Sequence, residues 1–483
     1  MSGALGFLID ASYFAAATLF LLGLQRMASP ATARSGIRWA GLGMLLATFV
    51  TFLLPDLHNL GLILVALALG TVLAWVSGKK VAITDMPQMV ALYNGMGGGA
   101  AAAIGAVELL RMLSPVADPA VVGGMTLLQI PHPQAELALL GGLIGSIALS
   151  GSVVAWAKLD GRLDRRLALP GQNAINLALL AGAVVLALLF AGHGFRVGID
   201  AMPSAWMVVA FFLVALTIGV LVTLPIGGAD MPVVISLYNA LTGLAVAFEG
   251  YVLQNEALII AGTMVGAAGL LLTRLMARAM NRKISRVLFA RFGGGGQAQA
   301  VEGAQKPIEA GDVAAMMAYA ERVVIVPGYG LAVAQAQHKI WELSQKLIER
   351  GVKVRFAIHP VAGRMPGHMN VLLAEAGVPY DLIADMDEIN PEFATTDVAL
   401  VIGANDVVNP VAKTDPASPI YGMPILDVAA ARNVIVIKRG RGTGFAGIEN
   451  ALFYADNARM LYGDGAEMAN QLVAELKALD GGH

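Results

Sequence analysis

The spacing of apolar residues divides the chain into two parts. Between about Leu5 and Met280 the apolar residues form long blocks, and a block of ~20 residues crosses the ~30 Å hydrocarbon core of a bilayer as a helix. From about Val301 onward, short apolar runs alternate with amphipathic segments. This pattern predicts a multi-span α-helical membrane domain followed by a soluble α/β domain with a parallel sheet.

Nine blocks in the first part are long enough to be transmembrane helices. They cover residues 5–25, 37–54, 58–78, 86–110, 136–157, 173–192, 205–224, 231–252 and 257–279. Lysine and arginine are concentrated after the first, third, fifth and ninth blocks. The positive-inside rule therefore predicts that the N-terminus lies outside and the C-terminal domain lies in the cytoplasm.

A ten-residue pattern occurs twice in the membrane part. Residues 85–94 and 230–239 both begin with Asp-Met-Pro and end with Leu-Tyr-Asn. Asp85 and Asp230 precede predicted helices, where they are either N-caps or functional carboxylates. Asn94 and Asn239 lie about two to three turns into these helices. There they either join helices by hydrogen bonds or line a proton path.

Few titratable groups fall inside the predicted spans. All seven histidines lie in loops or in the soluble part, and Glu108 and Glu249 fall near outer helix ends, where a carboxylate is expected to reach water. The chain alone therefore predicts no proton carrier at the membrane centre. The absence of cysteine excludes disulfides and cysteine-ligated metals, and a net charge of −2 gives no reason to expect a nucleic-acid partner.

The second part begins after a glycine- and alanine-rich segment that we interpret as a flexible linker. The predicted domains are residues 1–285 (transmembrane), 286–310 (linker) and 311–483 (soluble). Strands are expected at 322–327, 353–358, 397–402 and 433–438, and helices near 311–321, 331–350, 367–377 and 464–478.

The first predicted strand runs into a glycine-rich turn that is typical of nucleotide sites. Gly328 and Gly330 match a dinucleotide fingerprint, but Val333 stands at its third glycine position. The second strand is followed by Arg364 and lacks the acidic residue that binds a ribose 2′-hydroxyl. This difference favours a 2′-phosphate, and hence NADP over NAD.

Two further segments follow predicted strands. Lys438, Arg439 and Arg441 are either phosphate ligands or a solvated basic run. Asp406 either closes an Asx turn or is a carboxylate beside the cofactor.

Together these motifs resemble the β subunit of proton-translocating NAD(P) transhydrogenases, over essentially the whole chain. The resemblance rests on residues 230–236, 326–337, 358–370, 401–410 and 418–427. It implies a Rossmann-like NADP(H) domain and hydride transfer from NADH to NADP⁺, coupled to inward proton movement across the bacterial inner membrane. A partner α subunit, in one or two chains, would carry NAD(H) and additional transmembrane helices. The enzyme would be a dimer of αβ units in membrane lipid.

The glycine motif and the resemblance together assign the functional residues. The cofactor contacts are Gly328, Tyr329, Gly330, Val333, Val361, Ala362, Gly363, Arg364, Met365, Pro366, Gly403, Ala404, Asn405, Asp406, Val407, Gly422, Met423, Lys438, Arg439, Gly440, Arg441, Gly442, Thr443, Gly444, Phe445, Asp464 and Gly465. The catalytic and proton-coupling residues are Asp406, Asp230, Asn94 and Asn239.

Two residues depart from the family pattern. Phe445 stands where many members have tyrosine, so a stacking face is kept and a hydroxyl is lost. Asn94 stands where many members have a membrane histidine, and asparagine cannot titrate. The titrating group is then expected on a partner helix. A rival hypothesis, a transporter or channel with a cytoplasmic NADP-sensing domain, predicts function without a hydride donor.

Overall fold

The protein is represented by a computed structural model. It describes residues 3–27, 29–54, 57–113, 121–122, 125–126, 132–163, 167, 169–191, 204–227, 230–281, 284–285, 303–365, 367–418, 420–440, 442, 444 and 446–480. Contacts within the chain divide it into two compact units, Met1–Thr273 and Arg274–His483.

Each predicted membrane span coincides with a long helix. In chain order these are α1 (Gly3–Met27), α2 (Pro30–Thr51), α3 (Leu60–Lys80), α4 (Met86–Met112), α5 (His132–Leu159), α6 (Gln172–Phe190), α7 (Ala205–Thr223), α8 (Met231–Val252) and α9 (Glu256–Ala279). A 3-10 turn, Ile83–Asp85, precedes α4, and a small antiparallel pair, β1 (Val121–Val122) and β2 (Met125–Thr126), follows it.

Within the described residues, eight of these helices are long and apolar enough to cross a membrane. Helix α2 is the exception among the nine predicted spans. Arg34 and Arg38 lie in its first half and lower its mean hydropathy. It packs as a hairpin against α1, where Gly23 and Gly36 bring the two backbones together.

Helix α5 lies at the centre of the membrane unit, in contact with α4, α7 and α8. Glycine sets the distance between α4 and α5, because a Cβ on Gly98 would lie 2.8 Å from the Gly145 carbonyl oxygen. Glycine at this position therefore permits close packing of the two helices. In contrast, α3 has no buried residue, so its surface is available to lipid or to other chains.

The two Asp-Met-Pro sequences begin helices, as expected, but their aspartates are not side-chain caps. Asp85 and Asp230 occupy the N-cap positions of α4 and α8, with a proline in the first turn of each helix. Neither carboxylate accepts a capping hydrogen bond, since both residues have helical backbone angles rather than the extended ones that direct a cap inward. The N-cap interpretation of their side chains is therefore wrong.

The soluble unit consists of six strands and the helices that connect them. The strands are β3 (Arg322–Pro327), β4 (Lys353–Ile358), β5 (Ile383–Asp385), β6 (Val398–Ile402), β7 (Asn433–Lys438) and β8 (Ala458–Tyr462). The helices are α10 (Ala310–Ala318), α11 (Tyr329–Val333), α12 (Gln337–Glu349), α13 (His368–Glu375), α14 (Met386–Ile389), α15 (Val411–Thr414) and α16 (Gly465–Asp480). Its described residues also form five 3-10 turns: Tyr380–Leu382, Asn390–Thr395, Asp406–Val408, Val428–Ala430 and Ala451–Tyr454.

All six strands are parallel and have the order β5-β4-β3-β6-β7-β8. The chain runs outward from β3 in one direction and then from β6 in the other, which is the strand order of a Rossmann fold. The sheet is buried because its central strands are continuous apolar runs, such as the fully buried Val398–Ile402. The Rossmann-like prediction is confirmed, and its crevice lies where β3 and β6 end.

Three differences between the local predictions and the structure have a clear cause in the sequence. The helix expected at 331–350 is two helices, because Gln335 adopts a left-handed backbone angle (φ 51°) between them. Strands β5 and β8 were not predicted. The first has three residues and the second is interrupted by Arg459, so neither forms a clear apolar run.

The end of the predicted linker is held against the soluble unit. The amide of Ile308 donates to the Met460 carbonyl (3.1 Å), and the amide of Met460 donates to the Lys306 carbonyl (2.8 Å). Residues 305–308 thus extend the edge of the sheet beside β8. The exact domain boundaries remain a prediction.

Candidate functional site

The centre of the candidate site is a junction between two glycine turns. The amide of Gly328 donates to the Ile402 carbonyl (2.9 Å), and the amide of Gly330 donates to the Gly403 carbonyl (3.0 Å). A Cβ on Gly330 would lie 2.6 Å from the Gly403 Cα, and Gly403 itself has a φ of +70°. Side chains are excluded here, so the backbones that follow β3 and β6 meet directly at the point where the strand order reverses.

The departure at Val333 has a structural explanation. The third glycine of the fingerprint usually permits close packing of the helix on a strand. Here α11 ends at Val333, and that side chain is exposed. No close approach occurs at this position, so glycine is not required.

An aromatic and cationic cluster lies beyond β4. The Arg364 guanidinium stands 4.6 Å from the centre of the Tyr329 ring, and that ring meets His368 edge to face at 5.8 Å. The Arg364 amide donates to His368 Nδ1 (3.3 Å). Burial, together with the Arg364 charge, lowers the pKa of His368, so Arg364 carries the positive charge of this cluster.

His359 connects the end of β4 to the segment that contains Gly422 and Met423. The Val361 amide donates to its Nδ1 (3.2 Å), so Nε2 carries the proton and donates to the Pro424 carbonyl (2.8 Å). Burial lowers the pKa of His359 to about 4, so the ring is neutral at ordinary pH.

The loop that follows β6 is joined to the loop that follows β7 through Asp406. The Ala446 amide donates to Asp406 Oδ2 (2.9 Å), and Gly444 lies against the same carboxylate with no room for a side chain. Of the two interpretations of Asp406, an Asx turn would keep its hydrogen bond within its own loop. The observed bond instead couples two loops at the candidate cofactor edge.

Two buried amides hold the same loops, and neither was identified from the sequence. Asn409 Nδ2 donates to the Glu449 carbonyl (3.0 Å), and Asn409 Oδ1 accepts from Val411 (3.2 Å) and Ala451 (3.3 Å). Asn450 donates to the Asn405 carbonyl (2.9 Å) and accepts from Leu452 (2.9 Å). The Asn-Pro pair at 409–410 was the available signal, but only the fold shows that the amide reaches the other loop.

The basic loop after β7 begins at a half-buried lysine. Lys438 Nζ stands 4.5 Å from the centre of the Phe453 ring and donates to the Gly442 carbonyl. Burial lowers the pKa of Lys438. A Cβ on Gly440 or Gly442 would meet nothing within 4 Å, so this side of the loop is open. The predicted contacts Pro366, Arg441, Thr443 and Phe445 lie outside the described residues.

The remaining predicted contacts also follow strands or turns. Asp464 comes directly before α16 and its Oδ1 accepts from the Ala466 amide (2.9 Å), while Gly465 begins the helix. Gly422 has a φ of +75°, and the Met423 side chain is buried in an apolar cluster with Ile420 and Ile425. Any contact that Met423 makes with a ligand is therefore made by its backbone.

Because the sheet is wholly parallel, the predicted cofactor contacts that follow strands lie along one edge. They follow β3, β4, β6, β7 and β8. Arg364 follows β4 and Lys438 is the last residue of β7. These strands are separated by two others, or roughly 14 Å at ~4.8 Å per strand. An elongated anionic ligand fits this arrangement, with a glycine junction at its middle and one cation toward each end.

Several polar residues of the membrane unit lie on α4, α5 and α8. Asn94 Nδ2 donates to Ser152 Oγ on α5 (3.1 Å), while its Oδ1 is buried and has no hydrogen-bond partner among the described residues. Thr242 Oγ1 is in the same situation. Asn239 is half-buried one turn before Thr242, and Asp230 lies at the beginning of the same helix.

Glu249 is not in the environment expected from the sequence. It is only 1 % exposed, whereas its position near the outer end of α8 predicted contact with water. Neighbouring helices cover it through two glycines, Gly105 on α4 and Gly141 on α5. The prediction was wrong because the position of a residue along its own helix does not show which other helices cover it.

Residues 9–475 match the family model described as NAD(P) transhydrogenase beta subunit. The NAD(P) transhydrogenase subunit beta of Rhodospirillum rubrum is 44% identical over 469 residues, which are 96% of this chain and 98% of that protein. The same protein from a defined strain of that species gives the same identity and coverage.

Proposed function

The chain belongs to the NAD(P) transhydrogenase beta-subunit family of oxidoreductases, and we propose that it binds NADP(H) along the carboxyl edge of its sheet. There NADP⁺ receives a hydride from NADH held by a partner α subunit. One observation carries this proposal: the family match extends through both the membrane unit and the nucleotide-type sheet. We therefore assign the nucleotide-type sheet and the membrane helices to one enzyme.

The choice of NADP(H) rests on charge at the end of β4. Arg364 binds the 2′-phosphate, and the Tyr329 ring beneath its guanidinium keeps that group oriented. Residues 359–365 contain no acid that would instead bind a 2′-hydroxyl. Lys438 and Arg439 contact the phosphates from the other side of the junction.

The nicotinamide ring, when bound, supplies the carbon that accepts the hydride. Direct transfer requires two nicotinamides in contact, and the described residues form one dinucleotide fold. The second ring is therefore the partner's, which makes the isolated chain inactive. This requirement separates the enzyme from a nucleotide-sensing transporter, which needs no hydride donor.

Asp406 is the group that connects cofactor state to loop position. Its carboxylate accepts from the Ala446 amide, so a change in its charge or its partners alters how strongly the loop that follows β7 is held. In the membrane, Asn94 and Asn239 line a hydrated passage for protons that move inward, with the soluble unit in the cytoplasm. The assembly is a dimer of αβ units in the bacterial inner membrane.

A reconstitution experiment tests the proposal. The chain is co-purified with its α subunit, placed in sealed vesicles and supplied with NADH and an NADP⁺ analogue. We expect hydride transfer that is faster under an inward-directed proton gradient, together with proton uptake or release that follows turnover. The chain without its partner is expected to bind NADP⁺ and to transfer nothing. Ion conductance by the chain without its partner, gated by NADP⁺, would instead favour a transporter.

The Asp406→Asn variant tests whether hydride transfer can be separated from proton coupling. Asparagine retains an oxygen that can accept from the Ala446 amide, so the loops remain joined while the negative charge is lost. We expect normal folding and residual hydride exchange, with loss of gradient-dependent turnover. Asp456→Asn, at an exposed acid, is the matched control. Normal coupling in Asp406→Asn vesicles would reduce Asp406 to a structural link.

A further inference from the structure

Glu249 has a more unusual environment than any other acid in the described membrane helices. Its side chain is 1 % exposed, and neither carboxylate oxygen has a hydrogen-bond partner among the described residues. A Cβ on Gly105 would lie 2.7 Å from its Oε1, so glycine is needed to make room for the carboxyl group. A buried, ionised carboxylate without partners is strongly disfavoured, and such a group usually binds a proton instead.

Among the described residues, no cation hydrogen-bonds to the Glu249 carboxyl group. Helix α4 contributes Glu108, which is paired with Arg111 at 2.6 Å. Helix α5 carries Glu136, which is exposed, and α7 has no titratable residue. Helix α9 begins at Glu256, which is also exposed.

Glu249 also lies in line with other buried polar atoms. Along α4, Asn94 is 11 residues before Gly105, about 16 Å at ~1.5 Å per residue. Between them, Gly97 packs against Thr242, whose hydroxyl is also buried without a described partner. Asn94, Thr242 and Glu249 therefore form a column between α4, α5 and α8.

We propose that Glu249 is a proton-binding site of this chain, at the outer end of that column. A proton from the outer side joins the carboxylate to form the carboxylic acid, and the same proton later leaves toward Thr242 and Asn94, which restores the carboxylate. This site adds a proton-binding group to the proposed proton coupling. The direction of proton movement rests on that proposed function. It also revises the expectation that the titrating group must come from a partner helix.

The first test uses the whole αβ assembly in vesicles. Glu249→Gln keeps the size and removes the titration, and we expect coupled turnover to fall by roughly tenfold or more, with loss of its dependence on outer pH. Glu249→Asp keeps a carboxyl group and should retain part of the activity with a displaced pH profile. Glu256→Gln, the same change at an exposed acid, should behave as wild type. Glu249→Gln vesicles with the wild-type rate and pH profile would overturn the proposal.

A second measurement does not depend on turnover. Infrared difference spectra of the detergent-solubilised chain, titrated over about pH 5 to 9, should contain a protonated-carboxyl C=O band that disappears in Glu249→Gln and persists in Glu256→Gln. If no infrared band depends on Glu249, the proposed site is rejected, even when the vesicles move protons. Wild-type vesicles that catalyse without moving protons would reject the proposed coupling instead, and the infrared band would still decide whether Glu249 binds a proton.

Discussion

Four buried polar side chains, two in each unit of the molecule, have different surroundings. In the soluble unit, Asn409 and Asn450 are buried and each of their amides is used in several hydrogen bonds. In the membrane unit, Thr242 and Glu249 are buried to a similar degree, and the oxygens in their side chains make no hydrogen bond with the described residues. An unsatisfied buried polar group costs about 1–3 kcal/mol, so its retention in the membrane calls for a functional reason.

The soluble unit also contains a buried polar atom that has no described hydrogen-bond partner. His368 Nε2 is buried without a described partner, and that atom belongs to the aromatic and cationic cluster at the candidate cofactor edge. Among these residues, the satisfied amides hold loops in place, and the unsatisfied groups lie where a ligand or a proton is expected. Glycine serves both units in one way, because it brings backbones together around these groups.

The largest effect is expected where the soluble unit has no room for a side chain. Gly403→Ala would place a methyl group against the Leu331 amide in a left-handed backbone conformation. Overpacking costs about 1–3 kcal/mol and the left-handed conformation about 1–2 kcal/mol, so we expect the free energy of unfolding to fall by up to about 5 kcal/mol.

Chemical denaturation of residues 292–483 measures this change. Gly440→Ala is the control, since its Cβ meets nothing within 4 Å, and it should stay within about 0.5 kcal/mol of wild type. An unchanged denaturation midpoint for Gly403→Ala would mean that the close contact at the glycine junction does not contribute to stability.

A pH dependence of stability is expected from His359. Its pKa is about 4 in the folded protein, and it binds a proton more readily when unfolded. The contribution of His359 to the free energy of unfolding is therefore fully present above about pH 6.5. It decreases by about 3 kcal/mol as the pH falls to 4. His368, whose pKa is also lowered, acts in the same direction.

Denaturation of residues 292–483 at several pH values checks this expectation. His359→Gln removes the titration while keeping a donor for the Pro424 carbonyl, so its stability should vary less with pH. His338→Gln, at an exposed histidine, should follow wild type. A wild-type curve that is flat between these pH values would contradict a neutral, buried His359.

The sequence predicted the soluble unit better than the membrane unit, for a physical reason. Buried parallel strands such as Val398–Ile402 are continuous apolar runs that end in glycine, so the fold and a candidate cofactor edge can be predicted from the chain. Strand β8 was missed because Arg459 interrupts it. The burial of Glu249 depends on glycines of two other helices, and helix partners in a membrane are not visible in the spacing of apolar residues.

Lysine variants at the two edges of the sheet test whether the charge of the basic loop contributes to nucleotide binding or only to the fold. Lys438→Ala should weaken NADP⁺ binding by about 2 kcal/mol, or roughly 30-fold, the range for a charge-assisted hydrogen bond. Lys353→Ala is the matched control, because Lys353 begins β4 and so lies at the opposite edge of the sheet. Calorimetric titration of both variants with NADP⁺ and NAD⁺ measures the effect. Equal affinity of the wild-type protein for the two nucleotides would remove the 2′-phosphate assignment.

The smallest effect is expected for the asparagines of the membrane unit, and it distinguishes packing from transport. Asn94→Leu and Asn239→Leu should each lower coupled turnover by about tenfold, equivalent to ~1.4 kcal/mol, and leave NADP⁺ binding by the soluble unit unchanged. Asn94→His should be tolerated, because histidine can also hydrogen-bond water in a passage. Ser152→Ala removes only the partner of Asn94 Nδ2 and leaves its buried oxygen in place. If Ser152→Ala impairs turnover as much as Asn94→Leu, the amide serves to join α4 and α5. If it is nearly neutral while both leucine variants fail, the unsatisfied oxygen is the important atom, and the contrast between the two units is functional.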